Sequence, residues 1–373
     1  MKVGIQTTGM IAPQQLDFSR WAVVAHNDDS GLGRQAAGIR SVLGLGHHLV
    51  VPSERLVSKP LGRGDILLDP AASAGEVRES LRDIEGIIFF ERNNWHPQLL
   101  PIARSMGVKT ICVPNWEWFR GEDKLWSYCD FFICPTRFTL NVLHSYGWTN
   151  SIYLPWTLDL NSFAPRRITG PGRLFVHNAG LVDNDDRKGT RDTIEAFKRV
   201  PLKNIRLLVR LQRPVALPEL DDRITVRIGN LRDPSELYAE GDVAIQPSKM
   251  EGIGFMVLEP VCSGLPVITT DYPPMNEFVQ HHEMLAKKQW FKRRAFATNW
   301  VKHAHLRIPQ RGDLARKIQW CAEHDLSAIS AYNRDWAERT FNPDLLREEW
   351  RGAFEAVTLG AIPEYVRRRA ISA

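Results

Sequence analysis

Two glutamates, Glu251 and Glu259, stand with seven residues between them in the run Ser248-Lys249-Met250-Glu251-Gly252-Ile253-Gly254-Phe255-Met256-Val257-Leu258-Glu259. Gly252 and Gly254 let the chain turn tightly and bring its backbone close to a ligand. The apolar run beyond them predicts a helix opening near Gly254. The free amides of Gly252, Ile253, Gly254 and Phe255, helped by the helix dipole, then form an anion site suited to a diphosphate. Glu259 falls about 7–8 Å further along that helix, where its carboxylate can accept two hydrogen bonds from a diol such as a ribose. Glu251 precedes the helix, in the loop, and can reach the other end of the same ligand. Gly264 caps the helix and Pro266 opens the next strand. Taken singly, the glutamates would read as surface charges and the glycines as a turn.

Something must hold this loop at the end of a strand, and the chain alternates short apolar runs with helical patterns, as βα units with parallel sheets do. Strands are expected at 21–25, 48–51, 86–90, 109–113, 131–134 and 151–154, with helices at 33–45 and 97–106. A Pro-, Gly- and Arg-rich break at 164–173 divides the chain. The alternation then restarts: strands at 174–177, 205–210, 224–228, 243–246 and 266–269, and helices at 190–199, 234–239 and 254–262. This predicts an α/β protein of two parallel-sheet domains, 1–165 and 172–345, with a helical tail at 346–373 that crosses back to the first domain. Such domains hold a ligand in the cleft between them, at the carboxyl ends of the strands.

With these pieces in order, the sequence resembles the family-4 retaining glycosyltransferases of the GT-B fold, in which two Rossmann-like domains face each other across a cleft. Glu251 and Glu259 match that family's E-x7-E motif, and Cys262-Ser263-Gly264-Leu265-Pro266-Val267 matches the segment that the family carries next. Gly31-Leu32-Gly33-Arg34 looks like the family's glycine loop after the first main strand. Leu45-Gly46-His47 precedes the second strand as expected. Leu154-Pro155-Trp156 through Asp159, Phe163 and Pro165 looks like the entry to the interdomain linker. Arg187-Lys188-Gly189 looks like the element whose lysine contacts the donor phosphates, and the stretch from Asp271 to Glu277 like the loop after the Gly-Leu-Pro-Val strand. The likeness covers roughly residues 21 to 280.

The resemblance implies a nucleotide-sugar-dependent hexosyltransferase. A nucleoside diphosphate sugar, UDP- or GDP-linked, serves as co-substrate, with no permanently bound cofactor and no metal. It places Glu251, Lys188 and Asn115 in catalysis. Gly31, Gly33, Arg187, Lys188, Glu251, Gly252, Ile253, Gly254, Phe255 and Glu259 bind the donor. Two departures stand out. Ala179-Gly180-Leu181 occupies the place of the family's Gly-Arg, leaving Arg187 or Arg210 to substitute for the arginine. Pro114-Asn115-Trp116-Glu117 occupies the place of its N-domain histidine, with Asn115, Glu117 and His96 as candidates for that role.

Composition adds limits. The 373 residues are 43% hydrophobic and 24% charged, as in a globular protein. The apolar runs are too short to span a bilayer and the N-terminal MKVGIQTTGM lacks a signal-peptide core, so a cytoplasmic protein is expected. Five cysteines without a Cys-x-x-Cys pair suggest neither a disulfide framework nor a zinc site. The net charge of +5 is local: residues 284–312 hold eight bases and no acid, interleaved with Trp290, Phe291, Phe296 and Trp300. The plainest reading is a solvated basic face. The acceptor is expected to be a saccharide or a lipid, since a basic amphipathic surface suits a membrane-bound acceptor. Aromatics among bases also suit nucleic acid, so a transferase acting on a hydroxymethylated DNA base is the second reading. A catalytically inactive sugar-nucleotide-binding protein is a third.

Overall fold

The computed structural model describes residues 17–28, 30–53, 57–156, 158, 160–231, 234–294 and 304–372. In chain order, the first half carries β1 (Trp21–Ala25), α1 (Gly31–Leu43), β2 (His47–Val50), β3 (Asp65–Leu67), α2 (Ala74–Ser80), β4 (Gly86–Glu91), α3 (Leu99–Ser105), β5 (Lys109–Pro114), β6 (Phe131–Cys134), α4 (Arg137–Ser145) and β7 (Ser151–Tyr153). The second half carries β8 (Leu174–Gly180), α5 (Thr190–Lys198), β9 (Arg206–Leu211), β10 (Ile224–Ile228), β11 (Val243–Gln246), α6 (Phe255–Cys262), β12 (Val267–Thr270) and β13 (Leu285–Ala286). A short hairpin, β14 (Arg293–Arg294) and β15 (His305–Leu306), comes next. Four helices close the chain: α7 (Arg311–Glu323), α8 (Ser327–Thr340), α9 (Pro343–Thr358) and α10 (Ile362–Ser372).

Two wholly parallel sheets result. The first has seven strands in the order β3-β2-β1-β4-β5-β6-β7; the second has six, β10-β9-β8-β11-β12-β13. The strand order reverses beside β1 in one sheet and beside β8 in the other. The strands on either side of that reversal diverge at their carboxyl ends, which opens a crevice there. Central strands such as β1, β6, β11 and β12 are buried along their whole length, as strands covered by helices on both faces must be. The GT-B expectation of two Rossmann-like α/β units is therefore met.

Each sheet has its own apolar core. Trp21, Phe89, Phe131 and Trp126 centre the first, and Phe175, Phe197, Ile268 and Ile318 the second. The last helices return to the first domain. Trp350 and Phe354 of α9 are fully buried in the first core. The Phe354 ring lies 4.6 Å from that of Trp21, and Trp350 donates its indole N–H to the Pro155 carbonyl at 3.2 Å.

Most expected elements appear within a few residues of their expected bounds. The segment at 234–239 is a 3-10 turn, Pro234–Tyr238, rather than a regular helix. Six elements had no counterpart in the sequence pattern: edge strand β3, helices α2 and α4, and the two-residue strands β13, β14 and β15. The start of α4 is nonetheless marked by Thr136, whose hydroxyl accepts the Thr139 amide at 3.0 Å.

Candidate active site

The run bearing the two glutamates leaves β11, turns through 247–254 and enters α6. Gly254 sits at φ +93 as the N-terminal cap of α6, a left-handed conformation that favours glycine. The far end of α6 is held by α8. Ser330 donates to the Gly264 carbonyl at 2.7 Å, Asn333 to the Leu265 carbonyl at 2.7 Å and Arg334 to the Cys262 carbonyl at 2.8 Å. The helix that carries Glu259 is thus fixed at its C-terminus by hydrogen bonds, and the turn at its N-terminus abuts Asn115 and Glu117 of the first domain through Gly252.

Lys188 lies on the turn before α5. Gly189, at φ +73, is pressed so closely on the Pro247 carbonyl that a Cβ there would come within 2.5 Å of it. The Lys249 amide donates to the Arg187 carbonyl at 2.8 Å. These contacts bring the Lys188 ammonium to 2.8 and 2.9 Å from the two carboxylate oxygens of Glu251. Burial pushes the Glu251 carboxyl up, but Lys188 and Arg187 outweigh it and hold the group below its ordinary value, so it is ionised. Below this layer, the Lys249 ammonium bridges Asp186 at 3.2 Å and Asp192 at 2.9 Å, and Asp186 accepts the Thr190 amide at the start of α5. Lys249 is thus part of the scaffold, a role its place in the motif did not announce.

The opposite wall comes from the loop after β5. Trp116 donates its indole N–H to the Glu251 carbonyl at 2.7 Å. A Cβ on Gly252 would meet Glu117 Oε1 at 2.6 Å and the Asn115 side chain at 2.9 Å, so only glycine admits that approach. Asn115 Oδ1 and Glu117 Oε2 are both buried without a hydrogen-bond partner. Burial raises the Glu117 carboxyl from 4.5 to about 8; Arg187 opposes the rise, while Glu91 and Glu251 add to it. Arg187 Nη1 is 4.0 Å from Glu117 Oε1. Burial works against the Arg187 charge, yet Glu251, Glu117, Asp183 and Glu91 together raise it.

Glu259 accepts the Tyr238 hydroxyl at 3.0 Å. Burial raises its carboxyl, against the pull of Tyr238, Arg34 and Lys188. Tyr238 is fully buried, a partner that sequence reasoning missed because no motif surrounds it. Gln246, wholly buried at the end of β11, leaves both amide atoms unpartnered, and Asn178 Oδ1 at the end of β8 is likewise unpartnered. Buried polar atoms left without partners are rare, and these stand at the carboxyl ends of the strands that flank the site.

Lys188, Glu251, Gly252, Asn115, Glu117 and Arg187 therefore converge, with Ile253, Gly254, Phe255 and Glu259 continuing along α6. Gly31 and Gly33 open α1 on the other side of the crevice. Gly33 is packed on the Asp28 backbone, where a Cβ would come within 2.0 Å of the Asp28 carbonyl oxygen. The remaining candidates serve elsewhere. His96 is buried, contacts the Ala72 carbonyl at 3.0 Å and accepts the Gln98 amide. Arg210 pairs with Glu240 at 3.0 Å and donates to the Leu237 carbonyl, behind Tyr238. Glu277 accepts the amides of Arg137 and Phe138, both at 2.8 Å, and so caps α4 of the first domain from the second.

The basic segment is partly spent on internal contacts. Arg311 pairs with Asp192 at 2.7 Å and Arg293 with Asp185 at 3.3 Å, while Arg307 lies over the Tyr272 ring at 4.6 Å. Ala304 and Leu306 are buried in the first core. Trp290 and Phe291 are exposed. Phe296, Trp300 and Lys302 lie outside the described residues, as does Asp159 of the linker. Among the described residues, no group of three or more His, Cys, Asp or Glu side chains is placed to hold a metal ion. No helix among them is long and apolar enough to cross a membrane.

Residues 173–301 match the family model for glycosyl transferases group 1. A 93-residue stretch is 34% identical to the lipopolysaccharide glucosyltransferase WaaG of Escherichia coli K12, covering 22% of this chain and about a quarter (25%) of that relative. The fold is similar to a glycosyltransferase from Rickettsia africae, with a TM-score of 0.63 and 12% identity over 91% of this chain and 98% of that one. It is similar as well to Anabaena Alr3699/HepE, solved in complex with UDP and glucose, with a TM-score of 0.65 and 12% identity over 90% and 99% of the two chains. Sucrose-phosphate synthase from Thermosynechococcus elongatus aligns with a TM-score of 0.60 and 13% identity over 91% and 99%. By sequence, residues 173–301 are similar to glycosyl transferases group 1, and by fold the chain is a GT-B protein of two Rossmann-like domains.

Proposed function

We propose that the protein transfers a hexosyl group from a UDP- or GDP-linked sugar to a hydroxyl of a saccharide or lipid acceptor, with retention of anomeric configuration. The observation that carries this reading is the ionised Glu251 clamped on Lys188 beside the N-terminal end of α6, with Glu259 further along the same helix. In this reading the diphosphate lies on the α6 amides and the Lys188 ammonium, and Glu259 accepts from the ribose hydroxyls. The solved relative bound to UDP and glucose lends support to a uridine nucleotide.

As the bond between the anomeric carbon and the β-phosphate oxygen breaks, charge builds on the phosphate and the sugar becomes cationic. Fixed donors aimed at the leaving oxygen favour that separation. The acceptor oxygen bonds the anomeric carbon on the same face, and its proton passes to the departing phosphate oxygen. Glu251 keeps Lys188 aimed, and Asn115 and Glu117 face the transferred sugar from the first domain. The lysine and the amides neutralise the diphosphate without a metal, so activity is expected to survive chelation by EDTA.

The test is mass spectrometry and NMR of products from UDP- and GDP-hexoses offered with glycan, glycolipid and hydroxymethylated-DNA acceptors. The expected result is a saccharide or lipid product with the donor's anomeric configuration, and slow nucleotide release without acceptor. An inverted product would contradict retention. Nucleotide release from none of the donors would leave a binding protein rather than an enzyme.

A further inference from the structure

A circuit of contacts runs from the Glu251 turn out to the loop after β12 and back. The Arg307 amide donates to the carbonyl of Lys249, two residues before Glu251, at 2.8 Å. The Arg307 guanidinium lies over the Tyr272 ring at 4.6 Å and donates to the Tyr272 hydroxyl at 3.5 Å. Tyr272 packs edge-on against Phe138 of the first domain at 5.7 Å, and Phe138 against Trp116 at 4.9 Å. Trp116 closes the circuit on the Glu251 carbonyl. Arg307 is thus fixed at the seam of the two domains, beside the turn that bears Glu251 rather than within it.

A second base joins it. Residues 287–289 run antiparallel to 308–310, through the Lys288–Pro309 bridge and the bond from the Gln289 amide to the Ile308 carbonyl at 2.8 Å. The Lys288 ammonium stands 5.8 Å from the centre of the same Tyr272 ring. Other bases of the segment are matched by acids, Arg293 by Asp185 and Arg311 by Asp192. Lys288 and Arg307 pair with no carboxylate among the described residues. Asp271, next to Tyr272 in the chain, accepts from Asn276 at 3.0 Å instead. Arg307 Nε is buried and lacks a hydrogen-bond partner among the described residues. Two like charges gathered on one ring without a counter-ion repel each other, and buried donors left unpaired are rare.

We propose that Lys288 and Arg307, gathered on Tyr272, form a subsite for a phosphate group of the acceptor, so that the sugar is passed to a phosphorylated molecule. A phosphate supplies the counter-ion that the pair lacks: the guanidinium donates from a planar fork and the ammonium acts as a point charge. The donor's own diphosphate is already assigned to α6 and Lys188. A group bound beside the Glu251 turn therefore belongs to the molecule that approaches it from outside. Two acceptors carry this chemistry, a phosphorylated saccharide and a phospholipid headgroup. The second also meets Trp290, 94% exposed two residues beyond Lys288, an indole of the kind that seats in a bilayer interface.

This inference rests on the transferase reading above, and the experiment separates the two. Glucose 6-phosphate and glucose are titrated by calorimetry into protein saturated with UDP, which fills the donor's phosphate position. Sedimentation with vesicles of phosphatidylcholine, alone or mixed with phosphatidylglycerol, tests the lipid source. Wild type is compared with Lys288→Ala and with Arg307→Met, whose apolar stem still covers the Tyr272 ring. The expected result is that glucose 6-phosphate or the phosphatidylglycerol vesicles bind the wild type, while glucose and pure phosphatidylcholine do not. Each variant should lose about tenfold in that affinity, with UDP affinity unchanged. Binding of glucose 6-phosphate assigns the phosphate to a saccharide, and binding of the vesicles alone assigns it to a lipid. No phosphate-dependent binding in either arm, or wild-type affinity in Lys288→Ala, overturns the proposal. A parallel loss of UDP affinity overturns it too, since the pair would then belong to the donor site. Lys288→Ala removes only a ring contact, so its result stands even where Arg307→Met fails to fold. Wild-type protein that does not bind UDP sinks the donor reading instead, and the dependence of phosphate binding on Lys288 is still read.

Discussion

Trp116 donates its indole N–H to the carbonyl oxygen of Glu251 at 2.7 Å, so the loop that bears the cleft's ionised carboxylate is pinned from the opposite domain. The indole ring is itself fully buried, packed edge-on against Phe138 at 4.9 Å. The wall around Asn115 and Glu117 and the turn around Gly252 therefore form one contact surface, and the chemistry of the site depends on both domains.

The Lys188–Glu251 pair couples stability and activity in different ways. Removing one partner of a largely buried ion pair leaves the other uncompensated, at a cost of about 3–5 kcal/mol. Lys188→Met and Glu251→Gln should each lower the unfolding free energy, and the double variant should be more stable than the two single losses added together. All three should lose at least about a hundredfold in kcat/KM, the scale of removing one preorganised charged donor. Denaturant titration and steady-state kinetics check this. A double variant that regains activity along with stability would show that the pair is only structural.

Glu117 gives the site a pH dependence. Its folded-state value of about 8 lies above the ordinary 4.5, so between those values the folded protein holds a proton that the unfolded chain has released. Its contribution to stability is therefore present below pH 4.5 and lost as pH rises toward 8. On ionising, it also places a second negative charge near Glu251 and Glu91, facing Arg187. Activity should fall on the alkaline side of about pH 8. Glu117→Gln, which mimics the neutral acid, should remove that limb while keeping activity at pH 7. A wild-type profile flat through pH 9, or an unaltered limb in the variant, would contradict the assignment.

Glu277 ties the two domains by capping α4. Glu277→Ala frees the amides of Arg137 and Phe138 and should cost about 0.5–2 kcal/mol, the worth of a helix cap. Because the contact crosses between domains, the variant should also raise KM for the donor more than it lowers kcat. A change in stability with unaltered kinetics would confine Glu277 to helix capping.

The legible part of this protein was its local part. The E-x7-E run, the glycine turns and the alternation of strands and helices are each written in consecutive residues, and they located both sheets and the loop at the crevice. What was missed depends on distant partners. Nothing near Glu277 shows that its carboxylate reaches amides 140 positions away, and nothing near Tyr238 shows that its hydroxyl meets Glu259. Strand β3 escaped notice because it is a three-residue, half-exposed edge strand without strong alternation. The basic run at 284–312 is largely a surface, as expected, yet Arg293, Arg307 and Arg311 also reach Asp185, Tyr272 and Asp192. Their partners lie far away in sequence, where composition cannot see them.

The most direct measurement is calorimetric titration of UDP and GDP into wild-type protein and Glu259→Ala. Glu259 is held by Tyr238 alone among the described side chains, so its loss should leave the fold standing. At least one of the two nucleotides should bind the wild type tightly and saturably, weakened about tenfold or more when the carboxylate that accepts the ribose hydroxyls is gone. Undiminished affinity in Glu259→Ala would contradict this.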